Sequence, residues 1–373
     1  GAGGMTLAAQ LIKSMPENKI MLFDKGPYVS WAGCPTPYYI GGHLSFKSVV
    51  HYSPEYFREK GIDVYENHLV HKINFEEKSI EVLGDRVEGK VFYDELVLSI
   101  GGTPIIPNIK GYSPDIEGLF RLSHALDAER IKEYIDENSL KKAVVVGGGF
   151  IGIEMVEAFC DAGLEVELVE LQDRLMPKLP KDISDEIYNK LIEKGIKVSL
   201  GKSLEEIISH NKKIKSIKLN SGEEIQTDLL LMSIGIKPNI ELLEESDFKF
   251  DANNRIYVNE YLETYMPNVY ALGDLVYNRN KLTDEDLLRM LDERGLNGSL
   301  YIPKEMKLHD PLCIRMLNVW GHELEERELH RSNNNLRAIY ALYQLVRPDP
   351  QPGFQLDSFF MNQWPDSIHR NAW

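Results

Sequence analysis

The stretch Lys142-Ala143-Val144-Val145-Val146-Gly147-Gly148-Gly149-Phe150-Ile151-Gly152 decides the architecture of this chain. Lys142 to Val146 reads as a buried parallel strand, because the run is apolar without alternation. G-x-G-x-x-G follows, and Ile153 to Asp161 reads as a helix. A second strand, Glu165 to Val169, ends on Glu170, 18 residues past Gly152. A lone glycine motif is a weak sign, but strand, loop, helix, strand and terminal acid in that order predict a dinucleotide-binding βαβ unit. Gly147 permits the tight turn, Gly149 lets the backbone approach a pyrophosphate, and Gly152 lets helix pack on strand. The helix N-terminus then faces the phosphates. A carboxylate at Glu170 accepts from a ribose 2′-OH and repels a 2′-phosphate, which favours NADH over NADPH.

Working outward, the chain carries an internal repeat. Glu59 to Val64, EKGIDV, recurs as EKGIKV from Glu193, and Ser99 to Pro104, SIGGTP, recurs as SIGIKP from Ser233; both offsets are 134. Asp94 and Asp228 keep the same offset, and KSIEV from Lys78 recurs as KSIKL from Lys215 at 137. Four ordered matches imply two related α/β units. The first opens on Gly1-Ala2-Gly3-Gly4, which supplies the second and third motif glycines as Gly1 and Gly4, and a helix from Met5 to Ser14 follows. The strand Lys19 to Phe23 then ends at Asp24, 20 residues past Gly4. A second dinucleotide is therefore expected, with the strand that leads into the first loop expected to be missing from the chain as given.

The 373 residues carry a net charge of −16, which argues against a general nucleic-acid or anionic-membrane binder. No apolar run approaches the roughly 20 residues that span a bilayer, and no signal-peptide pattern opens the chain. Cys34, Cys160 and Cys313 are far apart and odd in number, without zinc or disulfide spacing, so a reducing, cytoplasmic compartment and no metal are expected. Cys160 falls inside the helix after the glycine loop and reads as a core residue. Cys34 lies in Ser30-Trp31-Ala32-Gly33-Cys34-Pro35-Thr36-Pro37-Tyr38-Tyr39-Ile40-Gly41-Gly42, and its residue type alone leaves open a buried thiol or a reactive one.

Taken together, the repeat, the segment TYMPNVYALGD ending at Asp274, SIGGTPIIP, SIGIKPN and the Cys34 segment resemble the FAD-dependent pyridine nucleotide–disulfide oxidoreductases. The resemblance runs from Gly1 to about Tyr277 and is strongest to the single-cysteine branch, which includes coenzyme A-disulfide reductases. It implies an α/β fold of two Rossmann-like, three-layer domains. Residues 1–112 would form the first part of the FAD domain, 113–245 the NAD domain and 246–280 the second part of the FAD domain. Residues 281–373 would sit in the interface-domain position but are unmatched; they include the HELEERELHR stretch, read as a solvated helix face.

The resemblance also implies site residues. FAD would be held by Gly1, Gly4, Asp24, Lys25, Val70, Ser99, Gly101 and Asp274. NADH would be held by Gly147, Gly149, Phe150, Ile151, Gly152, Glu154, Glu170 and Gly235, with Phe150 shielding the flavin and Glu154 near the nicotinamide. Coenzyme A would be lined by Thr6, Gln10, Lys13 and Ser30, and Cys34 would be the redox nucleophile at a helix start. Val29 occupies the place of the partner cysteine in two-cysteine members, so an external thiol is implied. Gly33 and Pro35 depart from the family's Asn and Gly. Ala2 stands where oxidases and peroxidases carry a His. The expected activity is passage of electrons from NADH through FAD to Cys34 and on to coenzyme A disulfide, a persulfide or a polysulfide. The alternatives are an oxidase or peroxidase using a Cys34 sulfenate, and an inactive nucleotide-binding remnant. A homodimer is expected if the tail forms an interface domain.

Overall fold

The computed structural model describes residues 2–277 apart from 178, 180, 245 and 260. Gly1, Cys313 and the expected interface region 281–373 lie outside the described residues. The second unit is built on a five-stranded parallel sheet. Its order is Lys197–Ser199, Glu165–Val169, Lys142–Val146, Leu229–Met232 and Leu119–Phe120. The valine strand is central, with Val144 and Val145 fully buried, as its continuous apolar run requires. The Asp228 carboxylate pins its start, accepting from the Lys141 and Lys142 N–H groups at 2.8 and 3.1 Å.

One face of this sheet, through Val144, Val146, Val169, Leu230 and Met232, packs on Ile207, Ile214, Ile217, Leu219 and Ile225. Those isoleucines and Leu219 come from a three-stranded antiparallel sheet, Leu204–His210, Lys213–Leu219 and Glu224–Gln226. The side chains that alternate with the first set meet the Phe150–Asp161 helix, which buries Ile153, Met155, Val156 and Phe159. Three layers result, with a helix that begins at Phe150, three residues earlier than the sequence predicts.

The first unit uses the same parts. The Ala2–Ser14 helix leads to Ile20–Phe23, parallel to Ile62–Tyr65. Leu96–Leu98 runs parallel to Val269–Ala271, so the chain returns to this unit after completing the second. An antiparallel sheet of Leu69–Asn74, Ser79–Leu83 and Gly89–Phe92 stands beside them. Both KSI segments fall in central strands of their antiparallel sheets, which is why that piece of the repeat is legible. The parallel strands form two separate pairs, and no strand joins them among the described residues; Lys142–Val146 does so in the second unit. Ile20–Phe23 is accordingly only half-buried throughout, whereas Val166 to Val169 is buried.

The two units meet through the ends of their repeats. Gly102–Pro104 pairs antiparallel with Ile236–Pro238 in the register Gly102↔Pro238, Thr103↔Lys237 and Pro104↔Ile236. At the offset of 134, Thr103 therefore faces its own equivalent, Lys237, and the two flanking pairs are exchanged by a local two-fold axis through that point. The flanking bonds obey it too: Ile105 N–H donates to Gly235 O at 2.9 Å, and Asn239 N–H to Gly101 O at 3.0 Å. Gly101 and Gly235 both take positive φ, 63° and 110°, so the turn that ends each unit requires glycine twice.

A buried acid ties the sheet edge. Glu167 is 1% exposed and lies 3.0 Å from Lys142 Nζ and 2.9 Å from Lys197 Nζ. In the glutamine the carbonyl keeps one lysine, but its NH2 is a buried donor set against the other ammonium. Glu167→Gln is expected to lower unfolding free energy by about 1–3 kcal/mol, read from urea midpoints at pH 7.

Candidate dinucleotide and thiol sites

In a doubly wound sheet, ligands bind outside the carboxyl ends of the strands, where the strand order reverses. In the second unit that edge carries the glycine loop. Gly147 has φ of 111°, the left-handed geometry only glycine takes without strain, and its N–H donates to Val169 O at 2.8 Å. Gly149 caps the helix, and a Cβ there meets nothing within 4 Å. This open cradle, beside first-turn N–H groups that lack intrahelical acceptors, fits a pyrophosphate. Gly152 has a different reason from the expected helix-on-strand packing. A Cβ there would fall 1.8 Å from Gly147 O and 2.8 Å from Ser233 Oγ, so the close neighbours are the loop's own carbonyl and the serine after the Leu229–Met232 strand.

Glu170 is 8% exposed and fastened at both oxygens, accepting from Gly148 N–H at 2.5 Å and from Gln172 N–H at 2.7 Å. Each oxygen keeps a second lone pair for a ribose hydroxyl. Both bonds are to backbone N–H groups, which hold the carboxylate in place. Phe150 is half-buried at the helix start, Ile151 is exposed, and Gly235 begins the two-fold ribbon.

The first unit repeats this construction. A Cβ on Gly4 would lie 2.5 Å from Ser99 Oγ, just as one on Gly152 would approach Ser233 Oγ, and Ser99 and Ser233 share the 134-residue offset. This paired glycine and serine is a feature the sequence reading did not use for fold, although the repeat contains both members. Gly3 lies against Leu272, which precedes Gly273 and Asp274. The start of the Ala2–Ser14 helix, Ser99 and Asp274 therefore gather at the ends of the Leu96–Leu98 and Val269–Ala271 strands. A Cβ on Gly101 or Gly273 meets nothing within 4 Å, so this edge also offers an open cradle that fits a dinucleotide. Asp24 closes the Ile20–Phe23 strand and accepts from Gly26 N–H at 2.8 Å, with Lys25 exposed beside it. His124 packs near Gly26, and burial lowers the pKa of its ring. Val70 sits at a bulge in the Leu69–Asn74 strand.

Cys34 is exposed, whereas Val29 is fully buried in a cluster with Met5, Ala8 and Phe57. The helix here runs Thr36–Ile40 with Pro35 as its cap, so Cys34 stands one residue before the cap rather than at the helix start. Thr36 fixes the turn, its N–H donating to Gly33 O at 3.1 Å, and Ala32 N–H donates to Val49 O at 2.9 Å. This segment lies on the second unit. Gly41 packs against Ala158 and Asp161, His43 Nε2 is 2.8 Å from Asp161 Oδ2, and Tyr28 OH donates to Glu129 at 2.9 Å. The thiol-bearing turn is thereby held on the helix that follows the second glycine loop, a juxtaposition no sequence motif announces.

Thr6, Gln10 and Lys13 form an exposed stripe on the Ala2–Ser14 helix, and Ser30 is half-buried and bridged to Tyr52. Cys160 corrects the sequence reading: it is exposed, next to the His43–Asp161 pair, and burial of its sulfur with the Asp161 charge raises its pKa. Among the described residues, no group of three His, Cys, Asp or Glu side chains could hold a metal, and no helix is long and apolar enough to cross a membrane.

Glu154, one turn before Ala158, has its pKa pushed up to about 7 by burial, with Glu157 adding repulsion. The unfolded chain ionises this group near pH 4.5, so between that pH and about 7 the folded state holds the extra proton. Stability from this group is present below pH 4.5 and is lost as pH rises through about 7. Glu154→Gln is expected to gain about 3 kcal/mol over the parent at pH 8 and almost nothing at pH 4.5, read from paired denaturation curves.

The comparisons agree with this geometry. Residues 1–286 match the model of the pyridine nucleotide-disulphide oxidoreductase family. An NADH oxidase of Methanocaldococcus jannaschii is 35% identical over 77% of this chain and 64% of its own length. An NAD(P)H sulfur oxidoreductase (CoA-dependent) of Pyrococcus abyssi is 32% identical over 76% and 62%. A coenzyme A disulfide reductase of Staphylococcus haemolyticus is 32% identical over 74% and 61%. The crystal structure of reduced Bacillus anthracis CoADR-RHD superposes with a TM-score of 0.70 at 34% identity, covering 74% of this chain and 49% of that one. The chain thus spans less than two thirds of the length of these relatives. Two nucleotide-binding cradles, built alike and joined through the ends of their repeats, carry the family's signature over most of the sequence, and this chain belongs to the pyridine nucleotide-disulphide oxidoreductase family.

Proposed function

We propose that the protein is a flavoprotein reductase that takes electrons from NADH and delivers them through Cys34 to coenzyme A disulfide or a related persulfide or polysulfide. The observation that carries this reading is the exposed Cys34, whose segment is seated through Gly41 and His43 on the helix of the second cradle. Val29 stands where two-cysteine members of the family carry their second cysteine, and on this reading the sulfur partner is the substrate's. FAD in the first cradle supplies the two-electron relay between nicotinamide and sulfur.

The chain's own residues do the rest. Asp24, Lys25, Val70, Ser99, Gly101 and Asp274, with Gly4, hold FAD at the first cradle. Gly147, Gly149 and the first turn from Phe150 to Gly152 hold the second pyrophosphate, with Gly235 and Glu154 on the nicotinamide side. Glu170, fixed by Gly148 and Gln172, takes the ribose and selects NADH. Cys34 Sγ, as thiolate, attacks one sulfur of RS–SR and expels RS⁻, leaving Cys34–S–S–R. Two electrons then cleave that bond and return the thiolate and a second RS⁻. Overall, NADH, one proton and RSSR give NAD⁺ and two RSH. Thr6, Gln10, Lys13 and Ser30 line the approach of the coenzyme A moiety.

The test is NADH consumption by the purified chain supplied with FAD, offered coenzyme A disulfide, inorganic polysulfide, hydrogen peroxide and oxygen in turn. Turnover with coenzyme A disulfide or polysulfide, with two thiols formed per NADH in the disulfide case, supports the reading. Turnover with peroxide or oxygen alone would overturn it in favour of the NADH-oxidase chemistry named for the M. jannaschii relative.

A further inference from the structure

Beside the first cradle lies a buried histidine that the nucleotide chemistry above does not use. His68 is 1% exposed. Its Nδ1 lies 2.6 Å from Glu66 O, and its Nε2 accepts from the backbone N–H groups of Arg86 and Val87, both at 3.2 Å. These partners settle the tautomer. A carbonyl oxygen only accepts, so Nδ1 carries the proton; two N–H groups only donate, so Nε2 is bare. The neutral ring is thus fully satisfied, and a doubly protonated ring would aim its new N–H at two others. The socket is shaped for the ring: a Cβ on Gly84 would fall 2.1 Å from His68 Cδ2.

His68 ties three segments together at the cradle. Its backbone N–H donates to Asp24 O at 2.9 Å, and the Asn67 N–H donates to Gly26 O at 3.1 Å. These bonds carry the pairing of Ile20–Phe23 with Ile62–Tyr65 past the strand ends, and they hold the turn that bears the Asp24 carboxylate. The third segment is the 84–87 turn, fastened to Nε2. From that turn Arg86 donates to Val64 O at 3.1 Å and lies 5.3 Å over the Tyr65 ring, which stacks on Phe23 at 4.9 Å. Losing the Nε2 bonds would therefore free Arg86 from the rings at the strand ends as well as the turn itself.

Among the described residues, the ionisable groups that face the ring are Tyr65, edge-on at 5.4 Å, with Glu66, Asp85 and Arg86. Glu66 is engaged by Arg58 and Arg86. Asp85 Oδ1 is 3.6 Å from Nε2 on an 85% exposed side chain. A protonated Nε2 would turn toward it, and turning there leaves the Arg86 and Val87 N–H groups bare. Across the Asp24 turn, His124 packs near Gly26. We infer that His68 is a positioning residue of the first cradle: its neutral ring locks the Asp24 turn in the geometry that takes FAD, and proton uptake at Nε2 unlocks it. The inference rests on the reading that the first cradle holds FAD. It makes flavin retention an acid-sensitive property of this chain, separate from the sulfur chemistry. An imidazole in water takes up its proton at about pH 6.5, so at pH 5.0 linkage allows FAD affinity to fall by up to about thirtyfold.

The test is equilibrium dialysis of FAD against the full chain at pH 7.5 and 5.0, in the parent, His68→Gln, Gly84→Ala and His124→Gln. Glutamine places an acceptor that does not titrate near the position of Nε2. The parent is expected to bind FAD at least about tenfold more weakly at pH 5.0 than at pH 7.5, and His68→Gln to stay within about threefold across the two. Gly84→Ala, which displaces the ring, should bind weakly at both, and His124→Gln should keep the parent's ratio. In parallel, amide hydrogen exchange is followed in the FAD-free chain and corrected for the intrinsic effect of pH. The Arg86 and Val87 amides and the Asn67 and His68 amides are expected to lose protection together at pH 5.0 in the parent but not in His68→Gln. An equal pH ratio in parent and His68→Gln, loss of the ratio in His124→Gln, or exchange at 86 and 87 that leaves 67 and 68 protected overturns the lock. No FAD binding by the parent at either pH would sink the first-cradle reading instead, while the exchange arm still decides whether His68 holds the Asp24 turn.

Discussion

Cys34→Ser is expected to lower NADH-dependent reduction of coenzyme A disulfide by at least about 10³-fold, because serine cannot supply a thiolate or accept a sulfur–sulfur bond. The structure predicts a clean separation of the two half-reactions. Cys34 lies within a turn closed by the Thr36 N–H on Gly33 O, its side chain is exposed, and serine is close to it in size and shape. NADH-dependent reduction of ferricyanide, which needs the cradles but not the sulfur, should therefore stay within about threefold. The measurement is a pair of steady-state assays on the same preparation. Parallel loss in both assays would mean that the substitution damaged nucleotide binding, and retention of disulfide turnover would remove Cys34 from the chemistry.

Gly152→Ala and Gly149→Ala should fail in opposite ways. The Cβ of an alanine at 152 would sit 1.8 Å from Gly147 O, a backbone atom of a loop pinned to Val169. Neither side can yield without moving the helix start or breaking the Gly147 turn. The substitution is expected to cost about 3 kcal/mol or more in stability and to remove NADH binding with it. At 149 the Cβ meets nothing within 4 Å, and φ of −82° with ψ of −171° suits any residue. The fold should lose about 1 kcal/mol, the ordinary cost of alanine for glycine at a helix cap. NADH affinity should nevertheless fall at least about tenfold, because the methyl fills space a pyrophosphate needs. Thermal unfolding and fluorescence titration with NADH read the two quantities separately. Unchanged NADH affinity in Gly149→Ala would show that the phosphates do not approach there.

Most of the architecture was legible in the sequence. The Lys142–Val146 strand, the glycine loop and the terminal Glu170 are fixed by local rules, an unbroken apolar run and a turn only glycine can make. The repeat then transferred the same reading to a weaker first copy. What stayed hidden depended on contacts between segments far apart in the chain. Cys160 was misread because the Phe150–Asp161 helix is apolar on most of its circumference, burying Gly152, Ile153, Met155, Val156, Ala158 and Phe159. The narrow polar stripe through Glu157, Cys160 and Asp161 was the signal that could have placed it, since spacings of three and four share a face. No local pattern could show that Gly41 and His43 seat the Cys34 turn on that helix, or that His68 holds the 84–87 turn. Those are tertiary facts.

The ribbon of Gly102–Pro104 and Ile236–Pro238 has a consequence for how two copies of one unit could become a single molecule. In the other strand pairings of the described residues, equivalent positions of the two copies do not stand opposite one another. On the dyad they do meet, and there a change in one copy is judged against its own counterpart. Thr103 faces Lys237 at that point. With lysine in both copies, two ammonium groups would stand directly opposite, an arrangement that costs stability in a ladder. With a hydroxyl on one side and a cation on the other, the two halves are not interchangeable at this point.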